Sequence, residues 1–455
     1  MKILVLSDMG QQTYHVGDEA MGIAAADEMI SRGHEVVFLT RSTEHSQRFV
    51  GAGDYHPTLP FPWPPADRER YLADLIRFVE GERDFTFPET EADYTRFVEG
   101  VAEADAVLLA GGGNMNSRYG WLLYERVALL SVAHHLGKPV VVSGQSLGPV
   151  LSGHDAGVLA SALSQVDVVS MREVTSFTWC RTRGIAALAG LDDATFYEPG
   201  ERRLPGEGEL YLPEDYLSVT FNHLSDEQVE AAAQLLDRAS EELGLAPVFV
   251  PHMGDPALGN GDVVLHQRIA ERMKARSTVL PMVHADTAVR VHRGAALVLT
   301  TRYHPAVLAL AYGVPALGLL PDAFTDIRLG GALSHYGLED FALALDLLDS
   351  PHAVFDALAE LHSRRAELSA ALTSRGEQLR LFQKKWWDAV AATLTGAEAD
   401  LPILQPAAPL SSSSQDASGT WRQFNELLRP VARRLSFEAQ TAEAEFDRAQ
   451  SYNRR

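Results

Sequence analysis

The feature that most constrains this chain is an alternation that occurs twice. Short runs rich in Val, Ile and Leu are separated by stretches with helical spacing. In the first half "KILVLSD" (2–8) reads as a strand, residues 18–32 as a helix closing at Gly33, and "HEVVFLT" (34–40) as the next strand. Residues 54–96 read as irregular, with "HPTLPFPWPP" as an insertion without periodicity. The alternation resumes with "DAVLLA" (105–110), the loop "GGGNMNS", a helix to about His135, "PVVVSG" (139–144) and "VDVVSMRE" (166–173). The second half repeats it: "LSVTFN" (217–222), a helix over 226–243, "APVFVPH" (246–252), a helix over 262–276, a weaker strand near 278–283, a helix over 286–293 and "ALVLTT" (296–301). Strands alternating with helices imply mostly parallel sheets with helices on both faces.

The halves are divided by "PGERRLPGEGELYLPEDYL" (199–217), which is rich in Pro, Gly and Glu. The expected organisation is an N-terminal α/β lobe over 1–200, a linker over 201–216 and a second α/β lobe over 217–395. A flexible linker (396–419) and a charged C-terminal helix (420–455) without core density follow. Two Rossmann-like lobes place ligands outside the carboxyl ends of their strands, in the cleft between them. The C-terminal helix is expected to pack across the body or to form a homo-oligomer contact. "KKWW" (384–387) reads as packing rather than as a membrane surface, so membrane contact is at most peripheral.

At 455 residues the chain exceeds one ordinary core, and 46% hydrophobic residues suffice for two. A net charge of −22 disfavours nucleic acid or an anionic membrane as partner. The single cysteine, Cys180, excludes an internal disulfide and a cysteine-rich zinc site. Histidine spacing offers no metal site, and no cofactor is expected. "MKILVLSDMG" reads as a strand rather than a signal peptide, and a cytoplasmic protein is expected.

Several motifs fall at strand ends. In "AGGGNMN" (110–116), Gly111, Gly112, Gly113 and Asn114 read either as a ligand-facing loop opening a helix or as a tight turn. In "GQSLGP" (144–149), Gln145 and Ser146 either hydrogen-bond a ligand or form a turn. Asp18 in "GDEA" (17–20) either caps a helix or faces the cleft as a base. Arg172 in "SMRE" emerges from a buried strand and must reach solvent or the cleft. His252 in "FVPHMGD" either lines the cleft or is a satisfied surface histidine. The most informative stretch is "TTRYHPAVLALAYGVPALGLL" (300–320). Pro305 suits the first position of a helix ended by Gly313, so Arg302, Tyr303 and His304 meet its positive end. An arginine fork, helix N–H donors and an imidazole suit an anionic, phosphate-bearing substrate that needs protonation. The competing reading is a structural ion pair beside a helix.

These motifs, with "MREVTS", "VPH" and "GAALVLTTRYHPAVLALAYGVPALGL", resemble the polysaccharide pyruvyl transferase family over roughly residues 1–345. The resemblance implies a GT-B-like fold and transfer of the enolpyruvyl group of phosphoenolpyruvate to saccharide hydroxyls, forming a pyruvate ketal. It aligns Arg302 and His304 with the family's Arg-Leu-His site, with Tyr303 in place of leucine. Arg172 matches the arginine of an Arg-Asp motif, with Glu173 in place of aspartate, and Arg328 stands for a family lysine. On this reading Arg172, Arg302 and Arg328 hold the donor, His304 is the general acid and Asp18 a candidate base. Gly111–Asn114, Gln145 and Ser146 then face a saccharide or lipid-linked saccharide acceptor. The alternatives are a nucleotide-sugar glycosyltransferase of the same architecture and a catalytically silent polysaccharide-assembly partner. A nucleotide donor commonly needs a carboxylate in the helix after the 302–304 cluster, and "PAVLALAY" has none.

Overall fold

The computed structural model describes residues 1–11, 13–50, 53–410 and 420–453. The apolar runs form strands, in chain order β1 (Lys2–Leu6), β2 (Tyr14–His15), β3 (Glu35–Thr40), β4 (Asp54–Pro57), β5 (Ala106–Leu109), β6 (Gly112–Met115), β7 (Val140–Leu147), β8 (Val168–Met171) and β9 (Ala187–Ala189). After the irregular 190–215 stretch come β10 (Tyr216–Thr220), β11 (Ala246–Phe249), β12 (Met253–Gly254), β13 (Thr278–Val279), β14 (Leu297–Thr300), β15 (Ala316–Leu320) and β16 (Ala342–Ala344). Two sheets result, with orders β4-β3-β1-β5-β7-β8-β9, where β6 also pairs with β7, and β13-β11-β10-β14-β15-β16. Every pairing within them is parallel. In each sheet the order reverses direction beside the first strand, between β1 and β5 and between β10 and β14. Connections leave opposite faces of the sheet on either side of such a point, which opens a crevice at the strand ends.

The central strands are buried on both faces, so their hydrophobic runs are continuous rather than alternating. Helices flank them, and several boundaries differ from the sequence reading. Residues 54–96 are not irregular: they hold β4, a helix over Pro65–Val79 and the start of another over Glu91–Glu103. Pro65 supplies the preset φ of a first helical position. The proline cluster therefore announces a helix instead of interrupting the fold. "GGGNMNS" does not open a helix either: Gly112–Met115 is β6, and the next helix is Gly120–His135. Its glycines thus lie one strand before any helix dipole.

The lobes are joined by more than the 190–215 stretch. β2 from the first lobe pairs antiparallel with β12 from the second, and Val16 N–H donates to the His252 carbonyl at 3.0 Å. The 190–215 stretch is itself tied to the second-lobe helix Ala285–Gly294, where Arg202 N–H donates to Asp286 Oδ2 at 2.8 Å. The thirty-residue helix Arg365–Leu394 returns to the first lobe, where the Trp386 indole donates to Ser143 Oγ on β7 at 2.9 Å. Trp386 and Trp387 are both buried, so "KKWW" is packing.

The described part of 396–410 is held on the second lobe: Leu410 N–H donates to the Gly337 carbonyl at 2.7 Å, and residues 411–419 lie outside the described residues. The C-terminal helix Thr420–Asn453 carries core residues after all, with Trp421 and Asn425 buried. It spans both lobes. Arg429 and Arg433 pair with Asp326 at 2.7 and 3.2 Å, and Arg448 pairs with Glu69 at 2.7 Å. Among the described residues no helix is long and apolar enough to cross a membrane.

Candidate active site

The segments that follow β8 and β9 in the first lobe and β14 in the second meet at a seam, where Arg172, Asp192 and His304 approach one another. From the second lobe, β14 ends at Thr300 and a helix spans Tyr303–Leu310. That helix begins two residues earlier than Pro305 predicts. Arg302 is its N-cap residue, and Tyr303 and His304 are its first two positions. Their side chains diverge. Arg302 turns into its own lobe and closes its fork on Asp262, with Nε and Nη2 donating at 2.7 and 2.6 Å. Asp262 also accepts from the His252 and Met253 N–H groups, both at 3.0 Å, so the pair fixes the turn that carries β12 to the first lobe. Arg302 is therefore engaged in an ion pair rather than open to the cleft. Sequence could not show this, because Asp262 is forty residues away.

His304 points the other way, into the seam. Its ring fills the space where a Cβ on Gly17 would sit. Nε2 is buried without a hydrogen-bond partner and lies 3.8 Å from Asp192 Oδ2 of the first lobe. Burial drives the imidazole pKa down to about 3, against the pull of Asp18 and with the push of Arg172 and Arg328. Asp18 is not a cap: it sits in the first turn of the helix Val16–Ser31, whose N-cap residue is His15. Its carboxylate lies 3.3 Å from His15 Nδ1.

Arg172, at the end of β8, is fully buried. Its Nε donates to Ser146 Oγ at 2.9 Å, Nη1 donates to Asp192, and its guanidinium stands 4.4 Å from the Tyr303 ring centroid. Burial opposes its charge, while Tyr303 and Asp192 hold the pKa up. Arg328, from the π-helical turn Asp326–Gly330, approaches from the other lobe. Its guanidinium stacks 3.4 Å from the Phe324 ring centroid, and Nε donates to the Phe324 carbonyl at 3.1 Å. Among the described residues no carboxylate pairs with it. Burial and the neighbouring Arg172 lower its pKa to about 10. The two cations converge on one glycine: a Cβ on Gly113 would lie 2.9 Å from Arg172 Nη2 and 3.0 Å from Arg328 Nη1.

The other expected ligand-facing groups are occupied. Gly111 N–H donates to Asp193 Oδ2 at 2.6 Å, and a Cβ on Gly112 would meet Gln145 Oε1 at 3.0 Å. Gln145 and Ser146 are not at a strand edge: β7 runs through Leu147, and both are fully buried. Gln145 donates to the Ala110 carbonyl. His252 is neither on the surface nor in the cleft. It is buried, with Nε2 2.7 Å from His292 Nε2. Burial and the facing His292 drive its pKa well down. Asn114 is bound to Asp8, which Arg41 holds at 2.7 Å and Arg126 at 3.4 Å. Burial would raise the Asp8 pKa, yet these two cations hold it down to about 2.

Several groups at the seam were not legible in sequence. Asp192 and Asp193 follow β9 in "GLDD", which has no recognisable spacing. Glu173, singled out in sequence only as standing in place of an aspartate, is the N-cap of the helix Val174–Arg181 and packs where a Cβ on Gly331 of the second lobe would sit. Burial pushes Glu173 and Asp193 each up to about 7. His335 Nε2 lies 2.8 Å from the Arg172 carbonyl, another contact between lobes. The signal, where any existed, was a carboxylate beside a strand end.

The chain matches the model of a family described as polysaccharide pyruvyl transferase over residues 15–322. No curated protein matches it at a significant level. Among solved structures it is similar to the S. aureus MnaA–UDP co-structure, with TM-score 0.53, 11% identity and coverage of 88% of this chain and 100% of that one. It is also similar to UDP-GlcNAc 2-epimerase from Neisseria meningitidis bound to UDP-GlcNAc, with TM-score 0.51, 11% identity and coverage of 87% and 100%. At such identities the likeness establishes the fold alone: two-lobed, parallel α/β and GT-B-like.

Proposed function

Because the chain belongs to the polysaccharide pyruvyl transferase family, we propose that it transfers the pyruvyl group of phosphoenolpyruvate to two hydroxyls of a saccharide. The observation that carries this reading is the convergence of Arg172 and Arg328 on Gly113, beside His304. Two guanidinium groups from opposite lobes form a site for a small molecule with two anionic groups. Phosphoenolpyruvate, with its phosphate and carboxylate, is such a molecule. Tyr303, where the family has leucine, adds a ring against Arg172 that keeps the cation oriented without neutralising it.

In this mechanism the methylene carbon gains a proton and becomes the methyl group, leaving an oxocarbenium-like centre at the neighbouring carbon. A saccharide hydroxyl forms a C–O bond to that centre and gives up its proton. The C–O bond to phosphate breaks, and a second hydroxyl closes the ketal and gives up its own proton. His304 is our candidate to deliver the first proton, and Asp18, paired with His15, our candidate to accept one. Arg302 is paired with Asp262, and in this reading that pair organises the junction between lobes.

Incubation with phosphoenolpyruvate, and separately with nucleotide sugars, in the presence of mixed glycans tests this reading. Release of phosphate from phosphoenolpyruvate alone is the expected outcome, and release of nucleotide would overturn it in favour of glycosyl transfer. Replacing His304→Ala is expected to abolish phosphate release while phosphoenolpyruvate still binds.

A further inference from the structure

The resting charges at the seam oppose the reaction. Arg172, the buried cation facing Gly113, is neutralised by Asp192, and His304 has no hydrogen-bond partner on Nε2. Both features run through one carboxylate. Asp192 Oδ2 takes Arg172 Nη1 and stands 3.8 Å from His304 Nε2, just beyond hydrogen-bond reach. Its other oxygen, Oδ1, accepts from Ala194 N–H at 2.8 Å, so one end is pinned while the other can swing. Arg172 has independent supports in Ser146 and the Tyr303 ring, so it stays in place without Asp192.

We propose that Asp192 is a positioning residue that changes partner: an anion arriving beside Gly113 takes over Arg172, and Asp192 turns to His304 and accepts a hydrogen bond from the protonated imidazole. The inference rests on the donor reading above and adds the step that makes His304 an acid. The proton comes from solvent, and its uptake offsets part of the charge that the anion brings. The groups that act on the imidazole are Asp18, His15, Arg172, Arg328, Asp192 and His252, with the Tyr303 ring edge-on. Two of these cations disfavour protonation, and an incoming anion neutralises both. A carboxylate that closes from 3.8 Å to hydrogen-bond distance then favours the charged ring. The device keeps the acid unarmed until the donor is seated.

The test uses the full chain and inorganic phosphate as the probe. The His304 imidazole resonance, assigned with His304→Gln, is followed through a pH titration with and without phosphate. In the wild type phosphate is expected to raise the titration midpoint by about two units. In Asp192→Asn, which keeps the oxygen that accepts from Ala194, the shift is expected to be clearly smaller, because only the neutralisation of Arg172 and Arg328 remains. With phosphoenolpyruvate, Asp192→Asn is expected to lower kcat about 100-fold. KM should be unchanged or lower, since Arg172 no longer has a competing anion. Asp192→Glu should restore part of the turnover. Equal phosphate-induced shifts in both proteins, or a KM that rises in step with the fall in kcat, would overturn the proposal. Should Asp192→Asn not fold, the wild-type titration decides alone: no shift with phosphate rejects the partner change. A wild type that shows the shift yet releases no phosphate from phosphoenolpyruvate removes the donor reading and keeps the partner change.

Discussion

Arg172 of the first lobe and Arg328 of the second lie close to the same position above Gly113, one buried and paired, the other without a carboxylate partner among the described residues. Burial and, next to it, the facing Arg172 lower the Arg328 pKa, since two like charges held together away from water are unfavourable unless an anion enters. Arg328→Gln is therefore expected to fold normally and to raise KM for phosphoenolpyruvate about 30-fold. Steady-state kinetics alongside thermal melts would check this. A large loss of stability with unchanged KM would reject the assignment.

Two glycines hold space for chemistry rather than for backbone conformation. Gly17→Ala would push a methyl group into the His304 ring, and Gly113→Ala would push one between the arginine heads. The first is expected to lower kcat and the second to raise KM, each about tenfold or more. The arginine heads can give way, so the melting temperature should move little in Gly113→Ala, whereas Gly17→Ala crowds a buried ring and should lower it as well.

Arg302 gives the opposite signature. Its pair with Asp262 is largely buried and ties β12 to the rest of its lobe. Arg302→Gln leaves the Asp262 carboxylate unpaired and should cost about 2–4 kcal/mol of stability, read by urea unfolding. If Arg302 instead gripped the donor directly, KM would rise with stability intact.

Glu19 provides a test of pH dependence. It is buried against Gly10 N–H, its Oε2 has no partner, and burial raises its pKa from 4.5 to about 8. A carboxyl with a raised folded-state pKa stabilises relative to higher pH: its contribution is full below about pH 4.5 and is lost as pH climbs through 8. Glu19→Gln, which mimics the protonated form, should match the wild type near pH 4.5 and exceed it by roughly 5 kcal/mol above pH 8. Paired denaturation curves across that window would show a constant gap if the reasoning fails.

The C-terminal helix should matter to binding although it lies outside the seam. Arg429 and Arg433 grip Asp326, the first residue of the turn that presents Arg328. Arg429→Ala is expected to raise KM for phosphoenolpyruvate about threefold with kcat nearly unchanged. Stopped turnover at saturating donor would contradict a bracing role.

The sequence by itself determined the local structure and the class of fold. Val, Ile and Leu runs bounded by helical spacing can be satisfied only as buried parallel strands with helices on both faces. The Pro/Gly/Glu-rich break between the two blocks marks where one lobe ends. It also placed His304, Tyr303 and Arg172 at strand ends, because a polar residue that interrupts a buried run must leave the core there. What it misread was local chemistry with two solutions. The prolines at 64 and 65 suit either an irregular loop or a helix start, and "GGGNMN" suits either a turn or a strand.

Only the tertiary structure decided which side chains meet. Arg302 pairs with Asp262 and His304 approaches Asp192, although Arg302 and His304 are two residues apart, because successive positions at a helix start point in different directions. Arg172 and Arg328, 156 positions apart in the chain, meet because the ends of the two sheets come together at the seam between lobes. Such meetings depend on the order of strands and on the seam between lobes. Neither leaves a periodicity or a spacing in the chain, since the contacts that fix them are long-range and made by single side chains.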